Sequence, residues 1–169
     1  KGVELTYNGQ IATSSKFRTI KNMTGDEFVA AGGTDLGART EWLNEVTRAG
    51  ISHVHGLSAN GGSGNTTYRI SGNLRNTQGI LNNTGFDQFN TRLNLSTKGL
   101  NDKLTIDFNT SFTNKKQQYG FQEALRYAVI YNPTAPIYGK DSKYEFNEDQ
   151  FGSYFETLGL FDSFNPVSI

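Results

Sequence analysis

Four stretches of the chain alternate strictly between apolar and polar side chains, the period of a β-strand with one face against a nonpolar phase. In 3–13, Val3, Leu5, Tyr7 and Ile11 stand at odd positions against Glu4, Thr6, Asn8 and Gln10. In 66–76, Tyr68, Ile70 and Leu74 alternate with Arg69, Ser71, Asn73 and Arg75. Segment 88–97 sets Phe89, Leu93 and Leu95 against Asn90, Arg92 and Asn94, and 104–113 sets Leu104, Ile106, Phe108 and Phe112 against Thr105, Asp107, Asn109 and Ser111. Within these segments Glu4, Arg69, Arg75, Arg92 and Asp107 all fall on the polar side, and no charge falls on the other. A fifth segment, 51–60, continues the series less cleanly through Leu57 and Ala59.

Each segment runs to about 10 or 11 residues, the length a tilted strand needs to cross a bilayer. A sheet with one face on a soluble core alternates in the same way, but its strands are usually about 5 or 6 residues long. The connections differ in length. Gly61-Gly62-Ser63-Gly64-Asn65 and Lys98 to Lys103 read as tight turns, whereas 14–50, 77–87 and 114–169 are long. In an up-and-down meander the short turns fall on one rim and the long loops on the other. The expectation is an all-β, antiparallel up-and-down meander forming part of a transmembrane β-barrel over 1–169, with short helices in its long loops. Those helices are read at a capping box, Thr24 to Glu27, leading into 28–31; at Glu41 to Val46 after Thr40; and at Gln122 to Tyr131, before Asn132-Pro133.

Composition agrees with a wall better than with a core. Only 35% of residues are apolar, against roughly 45–50% in soluble domains, yet 12% are aromatic and glycine is abundant. Sixteen basic and sixteen acidic residues balance, so no electrostatic footprint for nucleic acid is present. The longest apolar run, Tyr127 to Tyr131, falls far short of the ~20 residues of a membrane helix. The start, Lys1-Gly2-Val3-Glu4, lacks the apolar stretch of a signal peptide, and reads as a mature chain or one cut from something longer.

The absence of cysteine removes thiol nucleophiles and zinc ribbons, and no Gly-x-Ser-x-Gly elbow occurs. His53 and His55 share a strand face but lack further ligands at a convincing spacing, so wall or rim residues are the better reading. Gly61 to Gly64 lacks the lysine of a phosphate loop. Glu148 and Asp149 have no set separation that would make them a glycosidase pair. The Asn-x-Ser/Thr triplets, such as Asn65-Thr66-Thr67, read as accidents of an Asn- and Thr-rich chain. Neither an enzyme nor a cofactor or metal site is expected. The candidate contacts for a solute or a lid are aromatic loop residues, Trp42, Tyr127 and Tyr131, and polar-face arginines, Arg69 and Arg92.

An ordered series of short motifs carries a family resemblance. Thr40-Glu41-Trp42, His55 to Gly62, Thr67-Tyr68-Arg69-Ile70-Ser71, Gln78-Gly79-Ile80 and Phe89 to Leu95 resemble the early barrel of SusC/RagA-type TonB-dependent transporters. Tyr131-Asn132-Pro133-Thr134-Ala135-Pro136-Ile137-Tyr138 and Phe164-Asn165-Pro166-Val167 are similar to segments of that family's next extracellular loop. The resemblance implies a bacterial outer-membrane location, energised import of glycan or peptide nutrients, a SusD-type surface lipoprotein as lid, and the TonB complex as energy source. It also implies a barrel that continues beyond Ile169 and a plug domain, for which no stretch is a candidate; the chain alone is not expected to transport anything. The rival reading is a soluble or cell-surface β-sandwich that holds carbohydrate on exposed aromatics.

Overall fold

A computed structural model describes residues 2–141, 153–156 and 164–168. Five strands, β1 (Glu4–Ser14), β2 (Gly50–Ser63), β3 (Thr66–Gln78), β4 (Thr84–Gly99) and β5 (Leu104–Tyr119), form one open sheet in the order β1-β2-β3-β4-β5. The pairs from β1 through β4 are antiparallel neighbours in sequence, as a meander requires.

The printed pairings resolve the two faces, because directly opposed residues of antiparallel strands point the same way. One row reads Leu5, Ala59, Ile70, Leu93, and the next Tyr7, Leu57, Gly72, Thr91. The rows between them carry Thr6, Ser58, Ser71, Arg92 and Asn8, Gly56, Asn73, Asn90. The period-2 reading of the chain is therefore the face assignment of the sheet, and Leu57 and Ala59 bring the less regular β2 into it.

Four of the five strands run further than the pattern predicts, and β1 shifts by one residue. Expected spans of 3–13, 51–60, 66–76, 88–97 and 104–113 become 4–14, 50–63, 66–78, 84–99 and 104–119. Most of the added residues are polar or glycine on both faces, so the hydrophobic period is lost while the backbone ladder continues. Gly61, Gly62 and Ser63, expected in a turn, pair with Tyr68, Thr67 and Thr66. The turn shrinks to Gly64-Asn65, where Gly64 supplies the φ of +56° that a two-residue hairpin demands. Gly61 has its own reason: a Cβ there would lie 2.4 Å from the Tyr68 hydroxyl, so the ring covers the space that glycine leaves. The expected loop 77–87 contracts to 79–83, and β5 takes the first six positions of the expected loop 114–169, Asn114 to Tyr119.

A second compact unit is built from three separate excursions, 15–48, 80–83 and 119–169, as far as these are described. It contains α1 (Gly25–Ala30), α2 (Trp42–Glu45), α3 (Glu123–Ile130) and a 3₁₀ turn at Gly139–Asp141. The capping box of α1 is present: Glu27 N–H donates to Thr24 Oγ1 at 3.2 Å and Thr24 N–H to Glu27 Oε2 at 2.9 Å. Thr40 does not cap α2. Its hydroxyl donates instead to the Ala135 carbonyl at 2.6 Å, because 132–135 lies alongside 34–40. Trp42, Val46, Ala124, Ala128, Tyr131, Ala135 and Phe155 are the buried core of this unit, with Leu81 packed against it from the connection between β3 and β4. No helix among the described residues is long and apolar enough to cross a membrane.

Candidate functional site

The polar face of the sheet gathers Glu4, Asn60, Arg69 and Asn94 in one row, with Asp107 and Asn109 of β5 lining the same concavity. Asn8, Asn73, Asn90 and Arg92, with Ser111 and Thr113, line an adjoining one. Arg69 and Arg92 are exposed there, and neither forms an ion pair among the described residues. A run of amides and hydroxyls with two guanidinium groups and the Glu4 and Asp107 carboxylates can donate and accept many hydrogen bonds with a polar solute. Phe86 is an apolar exception on this face; the Lys115 ammonium sits 4.5 Å from its ring centroid, which gives the ring a cation–π partner.

The opposite face is apolar and uncovered. Leu5 is 70% exposed, Ile11 75%, Leu74 54%, Ile106 54% and Phe108 51%. Burying such a side chain is worth about 1.5–3 kcal/mol, so a whole face left in water is a large unfavourable term. A sandwich would hide this face under a second sheet, and the described residues form one sheet. Toward the end of the sheet where β1 stops, the face turns polar in the row Ile11, His53, Asn76, Asp87. His53 and His55 lie here with ring centroids 5.2 Å apart, and the Tyr7 hydroxyl is 2.7 Å from His55 Nδ1. No group of three metal-ligating side chains gathers among the described residues.

In the loop unit the predicted contacts separate. Trp42 and Tyr131 pack edge to face at 5.1 Å and are 3% and 4% exposed. The Trp42 indole donates to the Asn132 carbonyl at 2.9 Å, and the Tyr131 hydroxyl to the Phe155 carbonyl at 3.2 Å. These rings hold the unit together, and burial withdraws them from any solute that arrives from solvent. Tyr127 is half-buried, between Phe121 and Phe164 with the Arg126 guanidinium over its ring. Glu148 and Asp149 lie outside the described residues.

The residues that the sequence reading missed are two buried polar side chains, Thr134 and Asn165. The Thr134 hydroxyl donates to the Thr34 carbonyl at 3.0 Å and accepts from Leu36 N–H at 2.9 Å. Asn165 donates to the carbonyls of Ile137 and Phe155 at 3.0 and 2.9 Å and accepts from Val167 N–H at 3.0 Å. Both satisfy backbone groups of distant segments, which is why a buried polar residue is tolerated. Each stands in an Asn-Pro motif of the family resemblance, so those motifs are staples of the loop unit. On its surface Arg39 bridges Asp26 and Asp35 at 2.7 and 3.0 Å, and these carboxylates raise its pKa. The Glu27 carboxyl is held below its ordinary pKa by the Thr24 N–H of the capping box.

Comparison with known proteins agrees with this architecture. No protein-family model matches the chain. It is 30% identical to the TonB-dependent receptor SusC of Bacteroides thetaiotaomicron, over 96% of this chain and 17% of that protein. It is 33% identical to the TonB-dependent receptor P26 of Formosa agariphila over 113 residues, 67% of this chain and 11% of that protein. The chain thus spans less than a fifth of the length of either relative. TonB-dependent receptors sit in the outer membrane. From the open meander and a similarity that runs through nearly all of its length, the chain is part of a SusC-like TonB-dependent receptor.

Proposed function

We propose that the chain forms wall strands and extracellular loop structure of an outer-membrane importer, its apolar sheet face against lipid and its polar face toward the lumen. The observation that carries this reading is the continuous exposed apolar face. From Tyr68 to Leu74 along β3, at ~3.4 Å per residue, the apolar side chains span ~20 Å along the strand, or ~16 Å upright at a tilt of ~40°, and the polar residues that flank them on this face, Thr66 and Asn76, stand ~26 Å apart upright, bracketing the ~25 Å apolar band of barrel proteins. The 16 residues of β4 and of β5 exceed this height, so their polar ends stand clear of the hydrocarbon. The row Ile11, His53, Asn76, Asp87 is then the headgroup boundary on the side of the long connections.

In this reading Arg69 and Arg92 meet the solute in the lumen, and Tyr127 meets it or a lid at the loop unit. The imported solute is a glycan or peptide, the lid a SusD-like lipoprotein, and the energy comes through the TonB complex by way of other parts of the receptor. Trp42 and Tyr131 are assigned packing roles. The orientation is tested by cysteine labelling of the intact receptor in cells with a membrane-impermeant maleimide. Labels at Asp26→Cys and Lys140→Cys react from outside and one at Ser63→Cys does not; reaction at all three, or at Ser63 alone, overturns the orientation.

A further inference from the structure

Charge on the polar face of the sheet is graded along the strands. Its carboxylates, Glu4 and Asp107, both stand in the concavity nearest the tight turns, beside Arg69. The adjoining concavity, of about 460 Å³, holds Arg69 and Arg92 and is lined by no acidic side chain among the described residues. In the row beyond it, Gln10, Val54, Arg75, Gln88, the next charge is again a cation. Arg69, Arg75 and Arg92 are exposed, and their side chains form neither ion pair nor hydrogen bond among the described residues. Arg69 pairs with Asn94 and Arg92 with Ser71, so the two arginines are diagonal neighbours, with Cα atoms roughly 7–8 Å apart. Neutral donors surround them, the Ser71 hydroxyl and the side-chain amides of Asn73 and Asn90, and Gly56 puts no side chain into the row Asn8, Gly56, Asn73, Asn90.

We infer that Arg69 and Arg92 form an oxyanion subsite that takes a carboxylate group of the solute. Two guanidinium groups at neighbouring positions repel, and a carboxylate placed between them turns that repulsion into two charge-assisted interactions. The planar fork of each guanidinium fits carboxylate oxygens, and the amides and the hydroxyl add neutral donors around them. A neutral solute would leave the repulsion as it is. Glu4 and Asp107 line the concavity on the other side of Arg69 and not the one it shares with Arg92, so the shared one keeps its positive charge. The subsite rests on the proposed importer reading, in which this face meets an aqueous lumen; it adds that the solute is acidic.

The test uses the intact receptor in detergent with Ser71→Cys, directly opposite Arg92, and the unsubstituted receptor as blank. Two methanethiosulfonates, one ending in a sulfonate and one in a trimethylammonium group, are compared, each rate taken relative to a free thiol in the same buffer. The anionic reagent is favoured about tenfold, as a cation-lined cleft requires, and salt reduces the preference. Arg69→Gln with Arg92→Gln brings the two rates together, and at Asn109→Cys, in the concavity that holds Glu4 and Asp107, the preference is absent. Oligogalacturonate or oligo-aspartate slows the anionic reagent at Ser71→Cys, the first assigning an acidic glycan and the second an acidic peptide, while neutral maltohexaose does not. Equal rates with both arginines in place, a preference that survives the double Gln variant or recurs at Asn109→Cys, or slowing by neither acidic oligomer overturns the subsite and leaves the importer reading standing. Reaction of neither reagent at Ser71→Cys overturns the aqueous lumen face itself, and the subsite with it.

Discussion

Arginine in place of Ile70 is expected to destabilise the membrane-inserted receptor by about 2–4 kcal/mol, the cost of that charge on the lipid face near mid-bilayer. Ile70 sits in the row Leu5, Ala59, Ile70, Leu93, well inside the apolar band. The matched control is Ser71→Arg, one residue along and on the opposite face beside Arg92. In the proposed orientation the side chain there meets the lumen, and the substitution costs less than about 1 kcal/mol despite the like charge across the strand. Urea titration of the receptor folding into lipid vesicles measures both. The difference between the two positions carries the information, since a soluble sheet with both faces wet would make both substitutions mild.

The second large effect belongs to the loop unit. Trp42→Ala removes an indole that is 3% exposed, opens a cavity against Tyr131 and leaves the Asn132 carbonyl without its donor. Removing a buried aromatic of this size costs about 3–5 kcal/mol. Trp42→Phe keeps most of the packing and loses the N–H, so its cost falls to about 1–3 kcal/mol. Amide hydrogen exchange on the intact receptor locates the damage. The bonds from Ala38 N–H to Thr134 O and from Thr40 N–H to Pro133 O lose protection, while the β2–β3 ladder keeps its own. Equal loss in both units would mean that Trp42 supports the sheet as well and would contradict a separate loop core.

The sheet was the legible part of this chain, and a physical reason explains how far. A strand between two media writes its faces into the sequence, so Leu5, Tyr7, Ile70, Leu74, Leu93 and Leu95 could be assigned to one side from periodicity alone. The ends of the strands could not. From Asn114 to Gln118 both faces are polar and only the backbone records that β5 continues. The loop unit was illegible for a different reason. Its contacts join residues about 90 to 100 positions apart, such as Trp42 with Asn132 and Thr34 with Thr134, and no local pattern reports such pairings. Aromatics in loops therefore read as ligand contacts, although Trp42 and Tyr131 are core. Nothing in the local pattern marks Thr134 and Asn165 as buried. The one available signal was the recurrence of Asn-Pro, where an Asn side chain can cap its own backbone two residues on, as Asn132 Oδ1 does for Thr134 N–H at 2.8 Å.

The central claim is that one face of this sheet meets lipid and the other water, and spin labels placed one at a time along β3 of the intact receptor in vesicles test it most directly. Relaxation by molecular oxygen, which concentrates in hydrocarbon, is compared with relaxation by a water-soluble nickel chelate at each position from Arg69 to Leu74. The account predicts a period of two: oxygen dominates at Ile70, Gly72 and Leu74, and nickel at Arg69, Ser71 and Asn73. Nickel access at all six positions, or the inverted alternation, would contradict it.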